Sequence, residues 1–269
     1  MDRSVADFNV RLRTIRIRDL IIGILIAGII TGSLLLIFPF DDESGDIFLT
    51  IFLFIGVLLF SYALMGTTGL EKNLKNLFES DTRNEIIYIL IINLLFAFLF
   101  TFLVSFLDII IGFTDPTWIS IWDIDSIDAE SGILILDSII TIIFAPLLEE
   151  LVFRGILFNR LKIRTGIIPA IIISSFIFGI GHEFGGMTSA FIFGICMCTL
   201  YLKTDNILVP ISVHFLNNVL ATIINITGID IILAQLPWIV PSLAITLIGT
   251  FYLIKYVLKE TKYVKIKYS

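Results

Sequence analysis

Apolar residues fall in long blocks along this chain, separated by short polar stretches. Runs rich in Ile, Leu and Phe cover Leu20 to Phe40, Ile47 to about Met65, and Ile86 to about Leu107 with a possible extension to Phe113. Further runs start at Ile133 and continue as helix to about Lys162, then cover Ile167 to Phe184, Met187 to Leu202, Leu208 to Ile226 and Trp238 to Leu258. Each approaches the roughly 20 residues that a helix needs to cross a bilayer. The pattern predicts an all-α fold, a polytopic membrane helix bundle of about eight transmembrane helices. Between Gly66 and Glu85, Leu70, Leu74, Leu77 and Phe78 recur at helical spacing in polar surroundings. That stretch predicts an amphipathic surface helix. The first block is longer than the roughly 7–15 residues of a signal-peptide core, and Asp41-Asp42-Glu43 follows it, so it is expected to be a retained span.

Composition narrows the class. A hydrophobic fraction of 57% and a mean hydropathy of +1.01 lie outside the range of soluble globular chains. They leave no room for a sizeable soluble domain, so residues 1–269 are expected to form a single integral membrane domain. The net charge of −6 hides a segregation. Arg3, Arg11, Arg13, Arg16 and Arg18 mark one end, Lys255, Lys259, Lys262, Lys265 and Lys267 the other, and acids gather at Asp41 to Asp46 and Asp115 to Glu130. Basic ends flanking spans are topology signals and imply no nucleic-acid partner. With an even number of spans, both termini are expected on the cytoplasmic face of the cell membrane. The acidic loops then lie outside, and the turn bearing Arg160, Lys162 and Arg164 lies inside. Trp118 and Trp122 suit a headgroup-level anchor. Cys196 and Cys198, two apart in an apolar run, fall on different helix faces and read as small core hydrophobes.

Candidate chemistry sits where water should be scarce. Glu149 and Glu150 interrupt a long apolar run, and a carboxylate at that depth carries a heavy desolvation cost. The two histidines of the chain, His182 and His214, also lie in apolar blocks. Acids and histidines carry proton transfer near neutral pH. Glu150 and Arg154 are four apart and share a helix face, whereas Glu149 points about 100° away. Glu150 is therefore expected to pair with Arg154 and to leave Glu149 as the general base. Phe178 and His182 repeat the four-residue spacing, with Gly179 and Gly181 allowing close helix approach. His214 and Asn218 repeat it again and offer two hydrogen-bond donors to a developing oxyanion. Counted along the helices, Glu149 and His182 lie at matching depth, roughly 22 and 24 Å from the turn that joins them. Taken singly, each feature has a plainer reading: a structural ion pair, an interhelical hydrogen bond, or core filling by Phe178. Asn217 and Glu183 read as helix-interface or mouth residues. The coincidence of acids and histidines on three neighbouring helices favours chemistry.

These residues resemble a known family. Glu149-Glu150-x-x-x-Arg154, Phe178-x-x-x-His182 and His214-x-x-x-Asn218 are similar to the three motifs of the CAAX prenyl protease 2 and bacteriocin-processing (CPBP, Abi) family of intramembrane endopeptidases. The likeness covers about Phe144 to Ala221, with no motif position substituted, within a catalytic core expected over residues 133–226. It implies an eight-helix bundle in which Glu149 and His182 activate water while His214 and Asn218 hold the oxyanion. Glu150, Arg154 and Phe178 support them. The implied substrates are a peptide or a prenylated peptide, met in the lipid bilayer, through CAAX-type C-terminal trimming or microbial peptide maturation. No cofactor or metal is expected. Zinc is the alternative, because two histidines and a glutamate can bind it, although His-Glu-x-x-His is missing. Two other classes compete: a non-proteolytic immunity or regulatory protein of the same fold, and a proton-coupled transporter. The second would want a repeat or broken helices, and neither is evident.

Overall fold

A computed structural model describes residues 7–38, 46–77, 83–91, 93–94, 138–182, 187–227 and 236–268 of the chain, and all of their regular structure is helical. Helix α1 spans Phe8–Thr14, α2 Ile17–Ile37, α3 Asp46–Leu64 and α4 Glu71–Leu77. Four segments then run on as one helix, α5: π-helical Ile140–Phe144, α-helical Ala145–Glu150, π-helical Leu151–Phe158 and α-helical Asn159–Thr165. Helix α6 spans Ile167–Ile180, α7 Met187–Thr204, α8 Leu208–Thr227 and α9 Leu236–Tyr268.

Helices α2 and α3 are long and apolar enough to cross a membrane. Their side chains show why they belong there. In α2 only Ala27 and Thr31 are buried, while Leu25 and Ile29 are 58% and 68% exposed. A surface this apolar is stable against lipid and costly against water. The eight expected spans are recovered only in part. Most of the third block and the acidic loop with its two tryptophans lie outside the described residues. The fifth block ends as helix at Ile180, where the Gly181 N–H turns back to Phe178 and Gly179 carbonyls. At 14 residues, α6 is about 21 Å long and shorter than a hydrocarbon core. Helix α9 is the opposite case. Its 33 residues extend about 50 Å, longer than a hydrocarbon core of about 30 Å.

The packed centre is α7. Cys196, Met197, Cys198, Thr199, Leu200 and Tyr201 are consecutive and all nearly inaccessible, the signature of a helix covered on every side. Cys196 packs in one hydrophobic cluster with Phe178, Phe193 and Val213. Cys198 packs in another with Leu12, Leu151 and Phe158, in keeping with their different helix faces. Small residues set the approach of α6 to α7: a methyl on Gly194 would stand 2.8 Å from Ser175 Cβ. Gly166, at φ 87°, makes the tight turn from α5 into α6.

The N-terminal arginines do more than mark topology. Asp7 caps α1 by accepting from the Val10 N–H at 3.0 Å. Arg11 is buried and donates to the Thr68 carbonyl. Arg13 pairs with Asp205 and donates to the Tyr201 hydroxyl at 3.2 Å. Asn9 bonds the Asp205 carbonyl at 3.1 Å and accepts from the Ile207 N–H at 3.2 Å. Helix α1 thereby fastens the α3–α4 turn to the α7–α8 turn. The expected amphipathic helix appears as α4, yet its face differs: Leu74 is exposed and Asn73 buried, because the Asn73 carbonyl accepts from Asn206 Nδ2 at 2.8 Å.

Candidate active site

Consecutive positions on α5 send Glu149 and Glu150 into different surroundings. Glu150 and Arg154 are both fully buried, and Arg154 Nη1 donates to Glu150 Oε1 at 2.9 Å. The same oxygen accepts from His214 Nδ1, also at 2.9 Å. A carboxylate can only accept, so Nδ1 carries the proton and Nε2 is the reactive nitrogen of that ring. The Arg154 guanidinium lies over the Phe178 ring, 4.4 Å from its centroid, which offsets part of the cost of burying a cation.

Glu149 keeps 32% of its side chain exposed, and its Oε2 lies 3.6 Å from His214 Nε2. His182 sits just past the end of α6 rather than on the helix. Its Nδ1 faces the Phe178 carbonyl at 2.9 Å, which again makes Nδ1 the donor and leaves Nε2 free. Its ring lies 4.6 Å from that of Phe178. Phe178 therefore touches His182, Arg154 and, at 6.0 Å, His214, so one aromatic ring packs against all three motifs. His182 and His214 both act electrostatically on Glu149, but His214 makes the close contact.

The hydrogen-bond partners of Asn218 lie outside the ion pair. Its Nδ2 donates to the Thr141 carbonyl at 2.8 Å, and its Oδ1 accepts from Asn217 Nδ2 at 3.3 Å. Asn217 Oδ1 in turn accepts from Asn93 Nδ2 at 2.9 Å. Asn217, read from the sequence as an interface residue, thus belongs to a chain of carboxamides leading to the site. Two neighbours escaped the sequence reading. Phe193, whose ring packs edge-on to His214 at 4.8 Å, is one apolar residue among many and carried no signal. Asn93 did carry one, since it is a polar residue inside an apolar block.

An apolar cavity of about 410 Å³ opens between α2, α3 and α5 and has Glu149 in its wall. Gly23 and Ala27 of α2, Gly56 and Ala63 of α3 and Val152 of α5 make the room, and Asp19 is the other charged lining residue. Among the described residues no three of His, Cys, Asp or Glu converge as a ligand group, and Arg154 and His214 both use the same oxygen of Glu150.

Two adjacent acids, one of them buried, two histidines tied through Nδ1 and an apolar cavity, in a helical chain with an apolar outer surface, define a membrane protein with a candidate hydrolytic centre. Comparison with known proteins agrees. Residues 131–220 match the family model of the Type II CAAX prenyl endopeptidase Rce1-like proteins. The YdiL protein of Bacillus subtilis (strain 168), by its name a candidate membrane peptidase, is 34% identical over 113 residues, covering 42% of this chain and 45% of YdiL. The chain thus spans about half the length of the curated relative it matches. No solved structure matches it. Residues 131–220 are thus similar to the CAAX prenyl endopeptidase family, and the likeness covers about a third of the chain.

Proposed function

We propose that the chain is an intramembrane endopeptidase that hydrolyses a peptide bond with a glutamate-activated water and no metal. The observation that carries this reading is the setting of Glu149, a carboxylate beside an imidazole at the wall of an apolar cavity. Glu149 takes a proton from water as the oxygen attacks the scissile carbonyl, with His182 assisting. The oxyanion that forms is met by an N–H of Asn218 and by His214. Because His214 Nδ1–H is committed to Glu150, His214 can donate from Nε2 only when both ring nitrogens are protonated. Glu149 hands the proton taken from water to that nitrogen, the resulting imidazolium N–H meets the oxyanion, and the same proton goes to the leaving amine as the C–N bond breaks. Glu150 orients His214 as well as pairing with Arg154.

The cavity supports a substrate with an apolar group close to the scissile bond. Its lining offers almost no hydrogen-bond partner, so it favours a hydrocarbon group over unpaired peptide backbone. Both a prenylated tail and an apolar stretch of a membrane peptide meet that description. The same reading places about eight spans in the cell membrane with both termini in the cytoplasm, and residues 133–226 as the catalytic core. The test is a comparison of membrane-peptide termini in cells expressing the native chain or Glu149→Gln. New termini that depend on Glu149 support the reading. Identical peptide sets would replace it with a non-proteolytic immunity or regulatory role.

A further inference from the structure

Helix α5 contains two π-helical segments, where the hydrogen-bond register shifts from i→i+4 to i→i+5 and a carbonyl at the change of register can lose its backbone donor. In the second, the residue that answers such carbonyls belongs to the same helix. Asn159 Nδ2 donates to the Arg154 and Gly155 carbonyls at 3.0 and 2.9 Å. In the first, the Ala145 N–H reaches back to the Ile140 carbonyl and so is not the partner of Thr141. The next donor in line, five residues beyond Thr141, would be residue 146. That residue is Pro146, which has no N–H. The Thr141 carbonyl is thereby orphaned by its own helix. Asn218 on α8 satisfies it, with Nδ2 at 2.8 Å.

We propose that Pro146 and Asn217 are positioning residues for Asn218: Pro146 leaves the Thr141 carbonyl open to hold the carboxamide nitrogen, and Asn217 holds its oxygen. One hydrogen of Nδ2 is spent on Thr141, which directs the second to an incoming oxygen. Asn93, bonded to Asn217 at 2.9 Å, steadies the outer end of the chain. The orphaned carbonyl is the device that fixes the rotamer. A free carboxamide on α8 would satisfy itself elsewhere, and a preorganised donor is worth far more than a mobile one. The inference rests on the endopeptidase reading.

The experiment uses the full chain in proteoliposomes, with Pro146→Ala, Asn217→Ala, Asn218→Ala and the doubles of the first two with Asn218→Ala. The substrate is a membrane peptide found through the Glu149 comparison. A second readout needs no activity: the side-chain amide NMR signal of Asn218, assigned by its loss in Asn218→Ala. Pro146→Ala returns an N–H that competes for the Thr141 carbonyl. The expected result is a shifted amide signal and a kcat lowered about tenfold with KM held within about twofold, the pattern of a displaced catalytic group. Asn217→Ala is expected to give the same split, and neither change should add to Asn218→Ala. Native kcat with an unmoved signal in Pro146→Ala, or losses that multiply in the doubles, would overturn the proposal. Full activity in Asn218→Ala would overturn it together with the oxyanion reading. A dead Asn218→Ala beside a fully active Pro146→Ala would remove the positioning role alone. If Pro146→Ala does not fold, Asn217→Ala decides by the same kcat and additivity criteria.

Discussion

The α2–α3 pair and the α5–α8 core are both written largely in Ile, Leu and Phe, yet only the core is tightly packed. Gly23, Gly28 and Gly32 of α2 have open space around them, whereas a methyl on Gly155 of α5 would stand 2.5 Å from Leu12. Hydrophobicity does not separate the two regions, since lipid tails are as apolar as leucine. Polar residues do. Glu150, Arg154, Asn159, Ser174, Ser175 and Thr199 are buried in the core, where each needs a partner and so fixes a neighbour. The outer pair carries almost nothing of the kind. Glu149 stands on the seam. It is one peptide bond from the tied Glu150, but it faces the loose side, where a substrate has room to enter.

The sharpest way to break this contrast is to remove the charge on each acid in turn. Glu149→Gln keeps the shape and cannot take a proton. It is expected to lower turnover by about 10²–10⁴-fold while the protein inserts and purifies as before. Retained turnover, measured on the purified chain in liposomes, would take Glu149 out of the mechanism and with it the meaning of the seam.

Glu150→Gln should do the reverse. The change leaves Arg154 as an uncompensated buried cation, and breaking such a pair costs roughly 3–5 kcal/mol. His214 also loses the carboxylate that orients it, so part of the activity goes while some survives. The expected signature in a thermal melt is a clearly lower Tm beside measurable turnover. A variant with the native Tm and no activity would exchange the roles of the two acids.

Filling the cavity tests the loose side without touching the tied one. A Cβ at Gly23 meets no atom within 4 Å and Gly23 lines the cavity, so Gly23→Leu is placed to narrow it. It should discriminate against substrates by the size of their apolar group. A selectivity change of roughly 10–200-fold is the scale for a methylene or two in such a pocket. Cleavage of a peptide with a bulky apolar residue should fall relative to one with alanine at the same place. Equal losses for both peptides would mean that the cavity does not receive the substrate.

How much of this was legible in the sequence follows the same division. The Glu150–Arg154 contact was, because two residues four apart on one helix meet by geometry alone. The blocks that became α2 and α3 were also legible, because length and hydropathy suffice for a span. The contact of His214 with Glu150 was not, since it depends on how α8 lies against α5, and spacing within a helix says nothing about that. The apolar pattern carries the helix past His182, whereas it stops at Ile180 because Gly181 forms the cap. The π-helical register of α5 left only Pro146 as a trace. That trace shows which carbonyl loses its donor but not which residue answers it. Arg11 and Arg13 show in the sequence only as charge, because the turns that they bind are distant along the chain.

The smallest expected effect separates the two chemical readings of the site. A zinc mechanism needs His182, His214 and a glutamate as ligands around one open position. In the fold, His214 spends Nδ1 on Glu150, and His182 spends Nδ1 on the Phe178 carbonyl. Only the Nε2 atoms remain to meet a metal, and the Arg154 cation on Glu150 opposes a dication nearby by like-charge repulsion. Dialysis of the purified chain against a chelator is therefore expected to leave turnover unchanged, and elemental analysis to find no stoichiometric zinc. One tightly held zinc per chain, with activity lost on its removal and restored on its return, would make Glu149 a ligand. Asn218 would then lose its part in the chemistry, because a carboxamide is a poor zinc ligand, and its tie to Thr141 would become structural alone.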